Sequence, residues 1–233
     1  MSRLAIFDID ATLVYPSTGI HLARGLRAEG IIGRLKLLQG ALYLSLVRLR
    51  FIRYETLIRH GMGVVEDRLE EEVSGWFEKV YEDRVRASFV RSVTEKLFEH
   101  QARGDHVVLI SATSSMLGNF IATALGVTRC ACAEVEVRDG RIRNRVLQPV
   151  PYGEGKVAHA ERFAEEAGLK LDDAFFYTDS ISDLPLLERV GQPVVVNPDP
   201  FLRRVSLKRG WPIVVDVQTE DIHVLKEKFL GAS

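Results

Sequence analysis

Four short apolar runs without polar alternation punctuate the chain: Leu4 to Phe7, Val107 to Ile110, Ala174 to Tyr177 and Pro193 to Val196. Runs of this kind predict strands buried on both faces, as in the interior of a parallel sheet. Ile213 to Val215 is a candidate fifth. Segments of helical spacing lie between them, and three run into a glycine: Met116 to Leu125 before Gly126, Glu154 to Ala167 before Gly168, and Leu184 to Val190 before Gly191. Glycine just past the last turn is a common helix stop. Strands alternating with helices predict an α/β fold, a Rossmann-like parallel sheet flanked by helices.

Two segments break the alternation. Residues 131–147 read as a hairpin turning at Asp139-Gly140, a favoured hairpin dipeptide. Residues 16–94 are helical in pattern and are inserted directly after the first strand. An insertion this long is more economical as a separate helical cap than as a loop. The expected organisation is a core of residues 1–15 and 95–233 with a cap of residues 16–94. Within the cap, Leu35, Leu38, Leu42, Leu46 and Leu49 recur near helical spacing, which predicts the inside of a helical bundle. Dimerisation through the cap, giving a homodimer, is a further expectation that sedimentation would check.

Charge and composition narrow the classes of function. The chain has 233 residues, 46% hydrophobic and 27% charged, with a formal net charge of -1, so no global basic field points to nucleic acid. Charge is segregated within the cap, however: residues 21–60 hold eight Lys or Arg and two acids, and residues 61–83 hold two basic residues and eight acids. The balance predicts two oppositely charged halves packed side by side; the alternative is a basic surface for polyanionic or lipid-phosphate substrates. The uncharged apolar stretch of the cap, Leu37 to Val47, spans 11 residues, against about 20 for a membrane-crossing helix. Stable membrane insertion is therefore not expected, and the absence of a signal-like N-terminal segment suggests a cytoplasmic protein. Cys130 and Cys132 read as free thiols, and the six histidines form no metal-ligand spacing.

Each of the first three strands ends in a residue capable of chemistry: Asp8, Ser111 and Asp179. Ligands bind outside the carboxyl ends of strands in open parallel sheets. Asp8 and Asp10 leave their strand at i and i+2 and so project to one side. Two carboxylates with separate duties suit acyl-phosphate chemistry: one attacks phosphorus, and the other carries a proton for the leaving oxygen, its pKa raised by burial and by its charged neighbour. Ser111 can donate to a phosphoryl oxygen beside a helix N-terminus, and Lys156 can hold phosphoryl charge. Asp179 and Asp183, four residues apart after a buried strand, are oxygen ligands of the kind Mg²⁺ takes. The alternative for Asp183 is to cap the helix that carries Pro185 in its first turn.

Together, Asp8-Ile9-Asp10-Ala11-Thr12, Leu109-Ile110-Ser111-Ala112-Thr113, Lys156 and Asp179-Ser180-Ile181-Ser182-Asp183 resemble, in order, the four motifs of the haloacid dehalogenase (HAD) superfamily. The resemblance is closest to its phosphoserine-phosphatase-like branch, subfamily IB, which carries a helical cap between the first two motifs. It covers essentially the whole core and the cap only loosely. It implies a magnesium-dependent phosphomonoester phosphatase acting on a small-molecule phosphate ester. Asp8 would be the nucleophile and a metal ligand, Asp10 the general acid and base with its carbonyl on the metal, and Asp179 the remaining ligand. Thr12, Ser111, Ala112 and Lys156 would bind the phosphoryl group, with Asp183 in support. Phosphoserine phosphatases carry a glutamate seven residues after the acid/base aspartate, where this chain has Ser17, a difference that counts against phosphoserine itself. Ala11 stands where Gly, Ser or Asn is usual. Two alternatives share these residues: a phosphotransferase using the same aspartyl-phosphate, and a non-catalytic regulatory protein that binds phosphate and Mg²⁺.

Overall fold

The computed structural model describes residues 2–48, 51–52 and 54–231. The chain begins with β1 (Leu4–Phe7), followed by α1 (Thr18–Ala28), α2 (Arg34–Arg48), α3 (Tyr54–Met62) and α4 (Glu70–Val80). Next come β2 (Phe89–Val90), α5 (Arg91–Ala102), β3 (His106–Ser114), α6 (Ser115–Leu125) and β4 (Arg129–Ala133). A hairpin of β5 (Val135–Arg138) and β6 (Arg141–Val146) precedes α7 (Glu154–Ala167) and β7 (Phe175–Thr178). The last elements are α8 (Leu184–Leu187), β8 (Gln192–Val196), α9 (Pro200–Arg209), β9 (Ile213–Val214), β10 (Thr219–Glu220) and α10 (Ile222–Leu230).

Six parallel strands in the order β4-β3-β1-β7-β8-β9 form the central sheet. From β1 the chain builds outward through β3 to β4, then returns to β7 and builds the other way. The direction reverses between β1 and β7, which is where an open sheet of this kind leaves a crevice for ligand. Alternation along β1 sends Ala5 and Phe7 into one apolar cluster, with Leu97, Phe98, Leu117, Ile121 and Leu225. Leu4 and Ile6 enter the other, with Phe163, Leu186 and Leu202. Both faces are thus covered by helices, which accounts for the unbroken apolar runs.

α6 and α7 end at glycines in the left-handed conformation, Gly126 and Gly168, as predicted. α8 is shorter than its pattern and stops at Leu187. Gly191 has another reason to be glycine: a Cβ there would lie 1.6 Å from the Asp172 carbonyl oxygen. Residues 131–133, expected to open the hairpin, belong instead to β4 on the edge of the main sheet. That Cys-Ala-Cys-Ala strand lacks the branched residues that usually signal one. The hairpin itself turns as predicted, with Asp139 and Gly140 both at positive φ. Cys130 and Cys132 are free, with Sγ atoms 3.3 Å apart.

The inserted segment holds α1 to α4. α4 buries Val73, Phe77 and Val80 in the same cluster as Phe7 and Leu117, and α5 spans the boundary expected at residue 94. One expectation about this segment fails. Leu35, Leu38 and Leu42 are exposed rather than packed in a bundle; α2 turns Val47 inward and stacks Tyr43 on His60 of α3. Leu49 of that series, with Arg50 and Arg53, lies outside the described residues. The charged halves do pack side by side where α1 meets α4, Gly25 lying against Val80, but their majority charges do not pair. Among the described residues the ion pair between them is Lys79–Glu29, which joins the minority charge of each half.

Beside the sheet, His100 is buried between α5 and the strand ends. Its Nδ1 donates to Asp105 Oδ2 at 2.7 Å, since a carboxylate can only accept, and its Nε2 accepts from the Tyr177 hydroxyl at 3.0 Å. Burial is the main cause holding His100 below the usual 6.5, aided by Arg103 and opposed by Asp105. The unfolded chain therefore takes up this proton first as pH falls. The stability His100 confers is complete above 6.5 and declines as pH drops from there towards its lower folded-state pKa. Thermal melts between about pH 5 and 8 should show this decline, and His100→Gln should flatten it.

Candidate active site

Asp8 is buried one residue beyond β1, its amide donating to the Tyr177 carbonyl at 2.9 Å. Its Oδ1 accepts from the Ile9 amide at 2.7 Å, and its Oδ2 lies 3.0 Å from Lys156 Nζ. Lys156, buried in the first turn of α7, also donates to Asp183 Oδ2 at 2.7 Å. That turn sits directly on the Val150 carbonyl, because a Cβ on Gly155 would come within 1.8 Å of its oxygen. Asp183 makes no side-chain cap to α8. Its carboxylate accepts from Lys156, from Thr178 Oγ1 and from Ser182 Oγ, so the capping alternative does not hold.

Burial is the largest influence on Asp8, raising its pKa to about 6; Lys156 opposes the rise, and Asp183 and Asp10 add to it. Burial alone would lower Lys156, but the Asp183 and Asp8 carboxylates outweigh it and hold the ammonium above the ordinary lysine range. Asp179, just past β7, is pushed well up by burial and then by Asp8 and Asp183. Its side chain has no hydrogen bond or ion pair among the described residues. Its loop is pinned by Asp199, the N-cap of α9, whose Oδ2 accepts from the Ile181 amide at 2.7 Å and whose amide donates to the Asp179 carbonyl at 2.9 Å.

Asp10 is half-buried, not buried as expected. Its Oδ1 accepts from the amide and the hydroxyl of Thr18, both at 2.6 Å, and its Oδ2 accepts from Thr113 Oγ1 at 2.9 Å. The Thr18 and Thr113 hydroxyl oxygens are also in contact, both directing their protons to Asp10. Ala11 turns the chain at φ 53. Thr12 Oγ1 is buried without a partner among the described residues, a costly state that a bound acceptor would relieve. Ser111 is buried, its Oγ only 3.4 Å from the Thr113 amide, and the Ala112 carbonyl accepts from the Tyr54 hydroxyl at 3.4 Å. Ser17 is occupied locally, capping α1 through the Ile20 amide at 3.3 Å.

Asp8, Lys156 and Asp183 are thus in contact, and Asp179 and Asp10 lie within electrostatic reach of Asp8. Thr18, Thr113, Asp199 and Tyr54 were not expected as site residues. Thr113 closes the second motif and was legible as a strand-end hydroxyl. Thr18 and Tyr54 come from the inserted segment, where no local pattern pointed to the site. Tyr54 opens α3, stacks on Tyr152 at 4.3 Å between ring centroids, and is raised by burial and then by Asp10 and Asp8.

The donor set also tests whether a cation belongs here. Among the described residues no group of three or more His, Cys, Asp or Glu side chains is placed to hold a metal. The Asp179 carboxylate, free of side-chain partners among those residues and close to Asp8, fits a hard divalent cation, which takes one or two carboxylates and completes its shell with carbonyl, water and substrate oxygens. The electrostatics agree, since Asp8 raises Asp179 and Lys156 is the ammonium that opposes the rise of each.

Thr113→Val removes a hydroxyl from Asp10 without changing side-chain shape much. Loss of a hydrogen bond to a charged group should reduce kcat/KM by roughly 10–100-fold, with the melting temperature little changed; steady-state kinetics on the variant checks this.

The family model of haloacid dehalogenase-like hydrolases matches residues 5–188. Phosphoserine phosphatase SerB1 of Mycobacterium tuberculosis is 32% identical over 220 residues, 91% of this chain and 70% of its own. A solved protein of unknown function from Bordetella pertussis Tohama I superposes with a TM-score of 0.83 at 30% identity, covering 92% of this chain and 99% of that one. A phosphoserine phosphatase solved as a phospho-aspartyl intermediate analogue shares the fold with a TM-score of 0.69 at 21% identity, over 97% and 98% of the two chains.

Proposed function

We propose that this chain, which belongs to the haloacid dehalogenase-like hydrolase family, is a phosphatase that hydrolyses a small phosphomonoester through an aspartyl-phosphate on Asp8. The observation that carries the reading is the buried contact of Lys156 with both Asp8 and Asp183, beside the unpartnered carboxylate of Asp179. The name of the mycobacterial relative supports a phosphate ester as substrate.

In this reading Asp8 Oδ attacks phosphorus, the ester P–O bond breaks, and Asp10 gives its proton to the departing oxygen. Asp10 then takes a proton from the water that attacks the acyl phosphate, releasing phosphate and restoring the Asp8 carboxylate. Thr18 and Thr113 orient Asp10 for both transfers. Lys156, Ser111, Thr12 and the backbone at Ala112 bind the phosphoryl oxygens. Asp8, Asp179 and the Asp10 carbonyl would hold Mg²⁺, which supplies charge stabilisation to those oxygens, and Asp183 keeps Lys156 in place. Residues 16–94 act as the cap, bringing Tyr54 over the site.

Ser17 faces its own helix end and leaves the place of an ammonium-binding carboxylate unfilled, which argues for a substrate other than phosphoserine. The test is a phosphate-release screen with Mg²⁺ over amino-acid, sugar, nucleotide and lipid phosphates, with Asp8→Asn as the blank. Activity above the blank, lost on chelation, is the expected result. Total inactivity with Mg²⁺ bound would favour a regulatory protein instead.

A further inference from the structure

α2 turns an apolar stripe to solvent. Leu35, Leu38 and Leu42 are 69%, 68% and 57% exposed, and Phe51 beyond the helix is 75% exposed. The leucines stand at i, i+3 and i+7, hence on one face, shared with exposed Ala41 and Ser45. The opposite side is apolar too, with Val47 buried and Leu37 and Leu44 half-buried. A helix apolar on both sides calls for a partner on the uncovered one.

Charge identifies the partner. Between Glu29 and Glu55 the sequence has five Lys or Arg and no acid. Arg34 is exposed at the start of the stripe. Among the described residues, none of Arg24, Arg27, Arg34 and Arg59 forms an ion pair, while Lys36 is turned away from the stripe toward His60 of α3 and Gly63 just past its end. We propose that this surface rests on an anionic lipid bilayer, with the leucines and Phe51 entering its apolar boundary and the basic residues meeting the headgroups. A second copy of the chain suits the stripe less well: pairing two copies over α2 sets two uncompensated basic surfaces together without an acid to offset them. Docking would be lateral, since no helix among the described residues is long and apolar enough to cross a membrane. The stripe also adjoins the active site, because Phe51 and Ile52 lead within three residues to Tyr54.

The test is co-sedimentation of the full chain with phosphatidylcholine vesicles containing roughly one third phosphatidylglycerol. Binding should weaken with salt and be much poorer to pure phosphatidylcholine. Leu38→Glu with Leu42→Glu should weaken it by about tenfold or more without changing the melting temperature, and Arg34→Glu should weaken it less. No binding to the anionic vesicles overturns the proposal, as does equal binding to neutral vesicles. A dimer in sedimentation that the leucine substitutions split overturns it in favour of a second copy.

Discussion

Asp8→Asn is expected to keep the fold and lose roughly 10⁴-fold or more in turnover, the scale seen when a covalent nucleophile is removed. The amide is isosteric, retains an oxygen for the Ile9 amide, and removes one charge from a site where Asp8 is raised by burial and by Asp183 and Asp10. The melting temperature should therefore hold or rise while phosphate release vanishes. That pairing separates loss of chemistry from loss of structure. Kinetics with the best substrate from the screen, beside a thermal melt, gives both readings, and an Asp8→Asn protein that still turns over would end the assignment.

Lys156→Met should damage both. Its ammonium touches two carboxylates in a buried site, 3.0 Å from Asp8 and 2.7 Å from Asp183. Taking one member from a buried ion cluster costs about 3–5 kcal/mol, which at this chain length is a fall in Tm of roughly 10 °C. Adding Asp183→Asn to Lys156→Met removes one stranded charge, so stability should return in part while turnover stays absent. If the double variant were no more stable than the single one, the electrostatic account of this cluster would be wrong.

The central sheet was legible because its strands are buried on both faces and so read as solid apolar runs bounded by polar strand ends. The same feature placed Asp8 and Asp179 just past strand ends before any geometry was known; Ser111, expected there too, lies within β3, which runs on to Ser114. β4 escaped because an edge strand of small residues carries no such run. The partners of Asp10 escaped for a different reason: Thr18 lies 8 residues on in the chain and Thr113 lies 103 away, and a hydroxyl has no periodic signature. The leucines of α2 were misread because spacing reports that a face is apolar and says nothing about whether protein or solvent lies against it.

The hairpin of β5 and β6 does more than extend the core. Asp67 N donates to Ile142 O at 2.9 Å, Ile142 N to Arg68 O at 3.0 Å, and Glu70 N to Gly140 O at 2.9 Å. Any swing of α4 away from the sheet must rupture these three main-chain bonds or drag the hairpin with it. The base of the insertion is therefore held to the hairpin through backbone that no side-chain substitution other than proline can remove.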